Sequence, residues 1–302
     1  MGIISRPFGL LLNFLNNFTG NYGVALILFT IIVRLILLPL SIKQQKSMRE
    51  TQKIQPELAI IREKYKNDKQ KLNDETMKLY QKHGVNPAGG CLPLLIQFPI
   101  IIGLYQAIIK PLTYMFGLAD DQISFLTEKV NEVLISQGHE AIKGMGQFQI
   151  SIAQNLKSLP GDVLESVGLS SVNFINFNFL GLDLGKSPSI NFITVLWIIP
   201  ILAAVTTFLS TKVSTSAGGQ QAGDEGAAST MKTMNALFPL MTAWFAFSMP
   251  AGVGLYWILG NIIQILQQIV LNKYFKPNED DNPLITKKAE IKVNKGGGGK
   301  KK

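Results

Sequence analysis

The chain has 302 residues, 47% of them hydrophobic, and a mean hydropathy of +0.22, which indicates a polytopic membrane protein with short soluble parts. Its single cysteine, Cys91, excludes an internal disulfide framework. The two histidines, His83 and His139, form no metal or triad constellation, and no phosphate-binding loop or nucleophile motif occurs. We therefore expect no enzyme activity, no catalytic residue, no metal and no cofactor.

The net charge of +9 is concentrated in two regions, because residues 43–90 hold eleven Lys or Arg and residues 273–302 hold nine lysines. Residues 110–190 hold only five basic residues against eight acidic ones. Since cytoplasmic segments of membrane proteins are enriched in Lys and Arg, this pattern predicts a cytoplasmic C-terminus. It also predicts an external N-terminus and an external loop over residues 111–189.

The first predicted element is a helix. Over residues 1–22, apolar residues recur at helical spacing and are backed by asparagines, which predicts an external amphipathic helix lying in the membrane interface. The apolar stripe consists of Ile4, Phe8, Leu11, Leu15 and Phe18. The stretch carries no large domain and no N-terminal cysteine for a lipid anchor, and it does not resemble a transit peptide.

The next element is the first predicted span, residues 23–42. From Val24 to Ile42, fourteen of nineteen residues are Val, Leu, Ile or Phe, and Arg34 sits in the middle. Each large apolar residue favours insertion by about 0.3–0.6 kcal/mol, and a central Arg costs about 2.5–3.5 kcal/mol, so the segment should still insert. Arg34 must then find water, a partner or a substrate. A snorkelling side chain or a buried structural ion pair is the alternative interpretation.

Arg34 belongs to a polar stripe along this helix, together with Thr30, Ser41 and Gln45. The stripe leads towards the basic run after the span, and Pro39 is expected to bend the helix. Residues 43–90 then predict a cytoplasmic hairpin of two helices, the first with an apolar face that includes Ile54 and Leu58. The hairpin could be a basic linker near anionic lipid or a docking site for a partner, and the sequence leaves both readings open.

The remaining spans follow in chain order. In the last one, Trp257, Asn261, Gln264 and Gln268 share one helical face, and Gln97 places an amide inside the second span. Such amides either line a hydrated interior or join helices by hydrogen bonds. The predicted segments are span 2 (91–110), an extracellular loop (111–189), span 3 (190–211), a cytoplasmic loop (212–232), span 4 (233–249), span 5 (251–272) and a basic cytoplasmic tail (273–302).

Three stretches of these spans resemble one known family. FTIIVRLILLPLSIKQQKS, beginning at Phe29, is similar to the opening span of the YidC-type membrane protein insertases of the YidC/Oxa/Alb superfamily. NPAGGCLPLLIQFPIIIGLYQAI resembles the second core span of that family, and MPAGVGLYWILGNIIQILQQ resembles its last one. The matches cover all five spans and the charged hairpin in the order of the family.

The resemblance implies an all-α polytopic membrane protein. Five transmembrane helices would surround a hydrophilic groove, with an N-terminal interfacial helix and a cytoplasmic helical hairpin. The groove would take nascent membrane proteins from the cytoplasm and release them into lipid. By the same resemblance, its residues are Arg34, Thr30, Gln97, Tyr256 and Trp257, while Asn261 and Gln264 are placed there from their spacing.

The expected partners are nascent membrane proteins, the lipid bilayer, the ribosome and signal-recognition targeting factors, with the Sec translocon as a further candidate. We expect the protein to act as a monomer in a bacterial plasma membrane, in the form without a large periplasmic domain. Two alternative functions stay open. One is a small-anion transporter or channel that uses Arg34, and the other is a scaffold that assembles membrane complexes.

Overall fold

A computed structural model of the chain describes residues 2–85, 92–142, 148–169, 174–189, 191, 193–218 and 225–274, and most of these residues are helical. The predicted break at 86–90 and nearly all of the basic tail lie outside these residues, as do positions 219–224 of the predicted cytoplasmic loop. The helices are α1 (Gly2–Thr19), α2 (Tyr22–Ile36), α3 (Leu38–Lys53), α4 (Gln55–Lys64), α5 (Lys69–Lys82), α6 (Leu92–Ile109), α7 (Pro111–Tyr114), α8 (Asp120–Ser136), α9 (Phe148–Asn155), α10 (Gly161–Ser166), α11 (Ile198–Gly218), α12 (Glu225–Ser248) and α13 (Ala251–Tyr274).

Among the described residues, two stretches of helix are long and apolar enough to cross a membrane, Val195–Ser214 and Ala251–Lys273. A third candidate is the pair formed by α2 and α3, if the two helices are one broken span. Shorter apolar helices cover Gln97–Ile109 and Leu237–Ser248. The described part of the chain is thus a helical membrane protein with two or three candidate spans.

The first predicted span is interrupted at Leu37, where α2 ends and α3 begins. The sequence predicted a bend at Pro39, and the interruption falls two residues before it. Proline has no N–H, so it cannot donate to the carbonyl four residues earlier, which belongs to Leu35. The missing hydrogen bond therefore weakens the helix on the N-terminal side of the proline.

The chain divides into two compact units. The first consists of Met1–Leu37, Leu94–Phe208 and Leu237–Ile263, and the second of Leu38–Pro93, Leu209–Ala236 and Gln264–Lys302. In the first unit, apolar residues of α1, α2, α6 and residues 111–189 share one core. Its largest fully buried side chains are Tyr22, Phe29, Leu12, Leu26, Leu104, Ile108, Leu112, Met115, Leu126 and Ile150.

Helix α1 packs against α2 and α7 with a face that coincides only in part with the predicted apolar stripe. Its buried face includes Ser5, Gly9 and Asn16, whereas Phe18 of the predicted stripe is 77% exposed. Gly9 explains the choice of face, because a Cβ there would collide with the backbone of Tyr114. Small residues let the two backbones approach closely at this contact. The predicted stripe is divided, because Leu15 is buried and the Phe8 ring packs edge-on against Phe29 at 5.3 Å.

The stretch 111–189 of the first unit contains a two-stranded antiparallel hairpin of β1 (Asn178–Phe179) and β2 (Leu182–Asp183). The sequence did not predict these strands, since two residues are too few for a period-two pattern to appear. Short 3-10 turns cover Leu156–Ser158 and Val195–Trp197. The hairpin lies beside the N-terminal ends of α2 and α13, which it contacts through backbone hydrogen bonds.

The second unit contains the helical hairpin of α4 and α5. Ile54 and Leu58 are buried and form a small apolar cluster with Leu79 and Val85. The Asp68 side chain caps α5, because its Oδ1 accepts a hydrogen bond from the backbone N–H of Lys71 at 3.0 Å. The hairpin therefore has a core of its own, although a small one.

Candidate functional site

Arg34 lies in the last turn of α2. The N-terminus of this helix is fixed by Asn21, whose side-chain Oδ1 accepts hydrogen bonds from the backbone N–H groups of Gly23 and Val24. The Arg34 side chain reaches α13 and lies against Gly260. A Cβ on Gly260 would come within 2.8 Å of the Arg34 Nη2 atom, so the missing side chain gives the guanidinium its space.

The Arg34 guanidinium has no counter-ion on the helices that carry the site. Helices α2, α6, α11 and α13 contain no Asp or Glu. Within the part of the chain that the structure describes, the Arg34 Nε atom is buried and meets no hydrogen-bond acceptor. A buried donor without an acceptor is costly, and cations within apolar spans often mark sites for substrates or ions.

Gln97 and Tyr256 lie on the helices beside Arg34. The Gln97 Nε2 donates a hydrogen bond to the Tyr256 hydroxyl at 3.2 Å, which connects α6 to α13. The Tyr256 ring lies 6.4 Å from the ring of Phe29 on α2, the helix that carries Arg34. Tyr256 also precedes Gly260 by one helical turn. The structure therefore brings three of the predicted residues, Arg34, Gln97 and Tyr256, into one group.

Asn261 has a different role in the first unit. Its Nδ2 donates to the hydroxyl oxygens of Thr206 at 3.2 Å and Thr207 at 2.8 Å, and all three side chains are buried. The Thr206 hydroxyl in turn donates to the carbonyl of Leu202 at 2.7 Å. Asn261 thus joins α13 to α11 by hydrogen bonds, which is the structural alternative that the sequence left open for such amides.

Among the described residues, the remaining predicted groove residues, Thr30, Trp257 and Gln264, form no hydrogen bond with Arg34, Gln97 or Tyr256. Thr30 is fully buried, and its hydroxyl donates to the carbonyl of Leu26 at 2.6 Å within α2. Trp257 is half-buried and points about a quarter-turn away from Tyr256 around α13. Gln264 is half-buried in the portion of α13 that belongs to the second unit.

In the second unit, the ends of the two predicted polar stripes meet at Asn272. Its Oδ1 accepts hydrogen bonds from Gln45 at 3.1 Å, Arg49 at 3.2 Å and Gln268 at 3.2 Å. The spacing placed Gln45 on one stripe and Gln268 on the other, but Asn272 was missed. Gly260 was also missed, although a glycine inside a helix costs about 1 kcal/mol relative to alanine and is therefore a signal of close approach.

Apolar helices that hold one guanidinium against a helix backbone, with amide and phenol groups beside it, define an integral membrane protein of the helical class. The chain belongs to the 60Kd inner membrane protein family, whose model matches residues 14–279.

Named relatives agree with this assignment. The chain is 31% identical over 299 residues to "Membrane protein insertase YidC 2" of Listeria innocua, with 94% of this chain and 79% of the relative covered. It is 30% identical over 271 residues to "Membrane protein insertase YidC" of Fusobacterium nucleatum, with 90% and 96% covered. "Membrane protein insertase MisCA" of Bacillus subtilis is 32% identical over 270 residues, with 88% and 76% covered.

The Asn261 contact gives a prediction about stability. Asn261→Ala removes the amide that joins α13 to α11, so thermal unfolding in detergent should occur at a lower temperature. Interhelical hydrogen bonds in membranes contribute about 0.6 kcal/mol on average and up to about 1.7 kcal/mol, so the loss should fall in that range. The control is Asn261→Ala in a protein that already carries Thr206→Val and Thr207→Val. There the substitution should lower the stability only slightly further, because the hydroxyl partners are already absent. An equal loss in both backgrounds would show that the hydrogen bonds are not its cause.

Proposed function

We propose that this protein is a membrane protein insertase, which takes nascent membrane proteins into a hydrophilic groove and releases them into the bilayer. The observation that carries the proposal is its similarity to relatives with that name, which align with 88% to 94% of the chain. An insertase makes and breaks no covalent bond, so no residue has a catalytic role. The family and the apolar helices identify a bacterial membrane protein.

The proposed architecture has five spans around a groove that opens to the cytoplasm. The candidate spans and the shorter apolar helices support it, since together they provide α2 with α3, α6, α11, α12 and α13. Arg34, Gln97 and Tyr256 form the centre of the groove, and we retain Thr30, Trp257, Asn261 and Gln264 as its proposed margin. The N-terminus and residues 111–189 lie outside, and the helical hairpin and the tail lie in the cytoplasm.

The proposed mechanism is electrostatic. A hydrated groove shortens the low-dielectric distance that a polar tail of a nascent chain must cross. The Arg34 charge attracts acidic residues in that tail, and the attraction is stronger than in bulk solvent because apolar helices surround the groove. The apolar segment of the substrate then partitions into lipid, which supplies the net driving force. The absence of Asp and Glu from α2, α6, α11 and α13 supports this role, since no carboxylate on these helices neutralises Arg34.

Arg34 is predicted to act mainly as a fixed charge. Arg34→Ala and Arg34→Glu should lose insertion of substrates with acidic tails, whereas Arg34→Lys should retain much of it. We expect Arg34→Ala to remove about 1.4 kcal/mol of attraction. Insertion of the substrate with the acidic tail should therefore fall roughly tenfold. The measurement is insertion into proteoliposomes of one substrate with an acidic or a neutralised tail. An equal loss for both tails would refute charge attraction.

Protein level is not expected to confound this comparison, because removing a central Arg makes the span easier to insert by about 2.5–3.5 kcal/mol. Gly260→Ala is a matched control variant. Its new Cβ displaces the Arg34 guanidinium, whereas the charge itself is kept. Insertion of the acidic tail should fall between wild type and Arg34→Ala. In an Arg34→Lys background the same substitution should cost less, because an ammonium group needs less space.

The proposed topology predicts which loops are accessible from outside. With Cys91 replaced by serine, a cysteine at Asp120 should react with an impermeant maleimide in intact cells. A cysteine at Lys66, in the turn between α4 and α5, should react only after lysis, because the basic hairpin lies inside. Labelling of position 66 in intact cells would overturn this orientation.

The proposed partners are nascent membrane proteins, the ribosome, signal-recognition targeting factors and the Sec translocon, with the protein acting as a monomer. The nine lysines of residues 273–302 can bind ribosomal RNA by neutralising phosphates, and such binding weakens steeply with salt. Deleting 277–302 should therefore lower co-sedimentation with ribosomes at low salt. A deletion without effect would leave the tail as an orientation signal only.

A further inference from the structure

The turn between β1 and β2 contains an exposed leucine in an unfavourable backbone conformation. Leu180 has a φ of 52°, and Gly181 follows with a φ of 81°. Leu180 is the one non-glycine residue with positive φ among those that the structure describes. Two-residue hairpin turns of this kind favour Asn or Asp before Gly, because these residues tolerate the left-handed region. The Leu180 side chain is nevertheless 86% exposed, so protein contacts do not account for it.

The hairpin is held at the N-terminal ends of two helices. The backbone N–H of Tyr22 donates to the carbonyl of Asn176 at 3.2 Å, and the backbone N–H of Gly252 donates to the carbonyl of Leu184 at 2.9 Å. The Phe179 ring fills the space over Gly23, where a Cβ would collide with it. These contacts fix the hairpin beside the first turns of α2 and α13, at the depth where both apolar helices begin.

An exposed apolar surface continues from a candidate span to this hairpin. Strand β2 packs against the 3-10 turn Val195–Trp197, with which the candidate span Val195–Ser214 begins. Val195 is 74% exposed and Ile193, just before it, is 83% exposed. Farther along the span, exposed apolar side chains recur at helical spacing at Ile198, Leu202, Val205 and Leu209. The surface that faces lipid along the span therefore extends past its N-terminus to the neighbouring hairpin.

We propose that Leu180, with Ile193 and Val195, inserts into the bilayer at its outer surface, so that the hairpin is a lipid-binding element. The occupant of this surface is the upper acyl-chain region of the lipid. Burial of the leucine in lipid offsets the unfavourable φ, whereas exposure to water would leave that strain uncompensated. The proposal requires a bilayer around α11 and α13 and does not depend on the insertase activity.

Depth-dependent fluorescence quenching tests the proposal. Full-length protein with Cys91→Ser and a single cysteine at position 180 would carry the environment-sensitive probe NBD in phosphatidylcholine vesicles. Emission should shift to the blue, and lipids with a nitroxide at a shallow acyl position should quench it at least about twofold, as for apolar side chains at a membrane interface. The control is the probe at Glu165, an exposed charged residue of α10, which should show neither change.

A second probe position is needed because a probe at position 180 could itself disturb the turn between β1 and β2. NBD at Ile193 should be quenched in the protein with Leu180 intact. Leu180→Asn suits the positive φ and removes the apolar side chain, so it should weaken quenching at 193 while the protein stays folded. Quenching at neither 180 nor 193, with emission like that at 165, would overturn the proposal. Quenching at 193 that Leu180→Asn leaves unchanged would overturn the role of Leu180.

Discussion

The guanidinium of Arg34 imposes the main constraint on the first unit, because a charge within apolar helices must be accommodated by groups from other helices. Gly260 provides space on α13, and Tyr256 and Gln97 place polar atoms nearby. The helices of the site contribute no carboxylate, so this arrangement tolerates the charge without neutralising it. A cation kept in this state can still attract an acidic ligand, whereas a salt bridge would have satisfied it.

The loop around the β1–β2 hairpin supports this arrangement by holding the N-termini of α2 and α13. Asn21 caps α2, and its Nδ2 also donates to the carbonyl of Asn178 on the hairpin at 2.9 Å. At α13, the backbone N–H of Ala251 donates to the carbonyl of Lys186 at 2.9 Å. The first N–H groups of a helix have no partner within it, so these bonds satisfy both termini. The same loop thereby fixes the starting points of the two helices that position Arg34.

Polar residues on the apolar helices have two distinct uses. Thr30 bonds to its own helix and Asn261 bonds to α11, so both are satisfied inside the protein. Arg34 retains a buried donor with no acceptor in the described ranges. The helical spacing is alike for both uses, since each polar group lies on a helical face shared with others. What separates them is whether a neighbouring helix offers a partner within hydrogen-bonding distance.

The sequence by itself determined the helical class, the membrane location and the apolar face of α4, because length, hydropathy and helical spacing are local properties of the chain. The family resemblance of single segments also singled out Arg34, Gln97 and Tyr256 as candidate groove residues, and that role stays a prediction. Tertiary structure alone decided that α1 packs through Gly9, that Gly260 faces Arg34 and that residues 178–183 form a hairpin. These features depend on atoms far apart in the chain. A helical pattern can show which residues share a face, but only packing shows what that face meets.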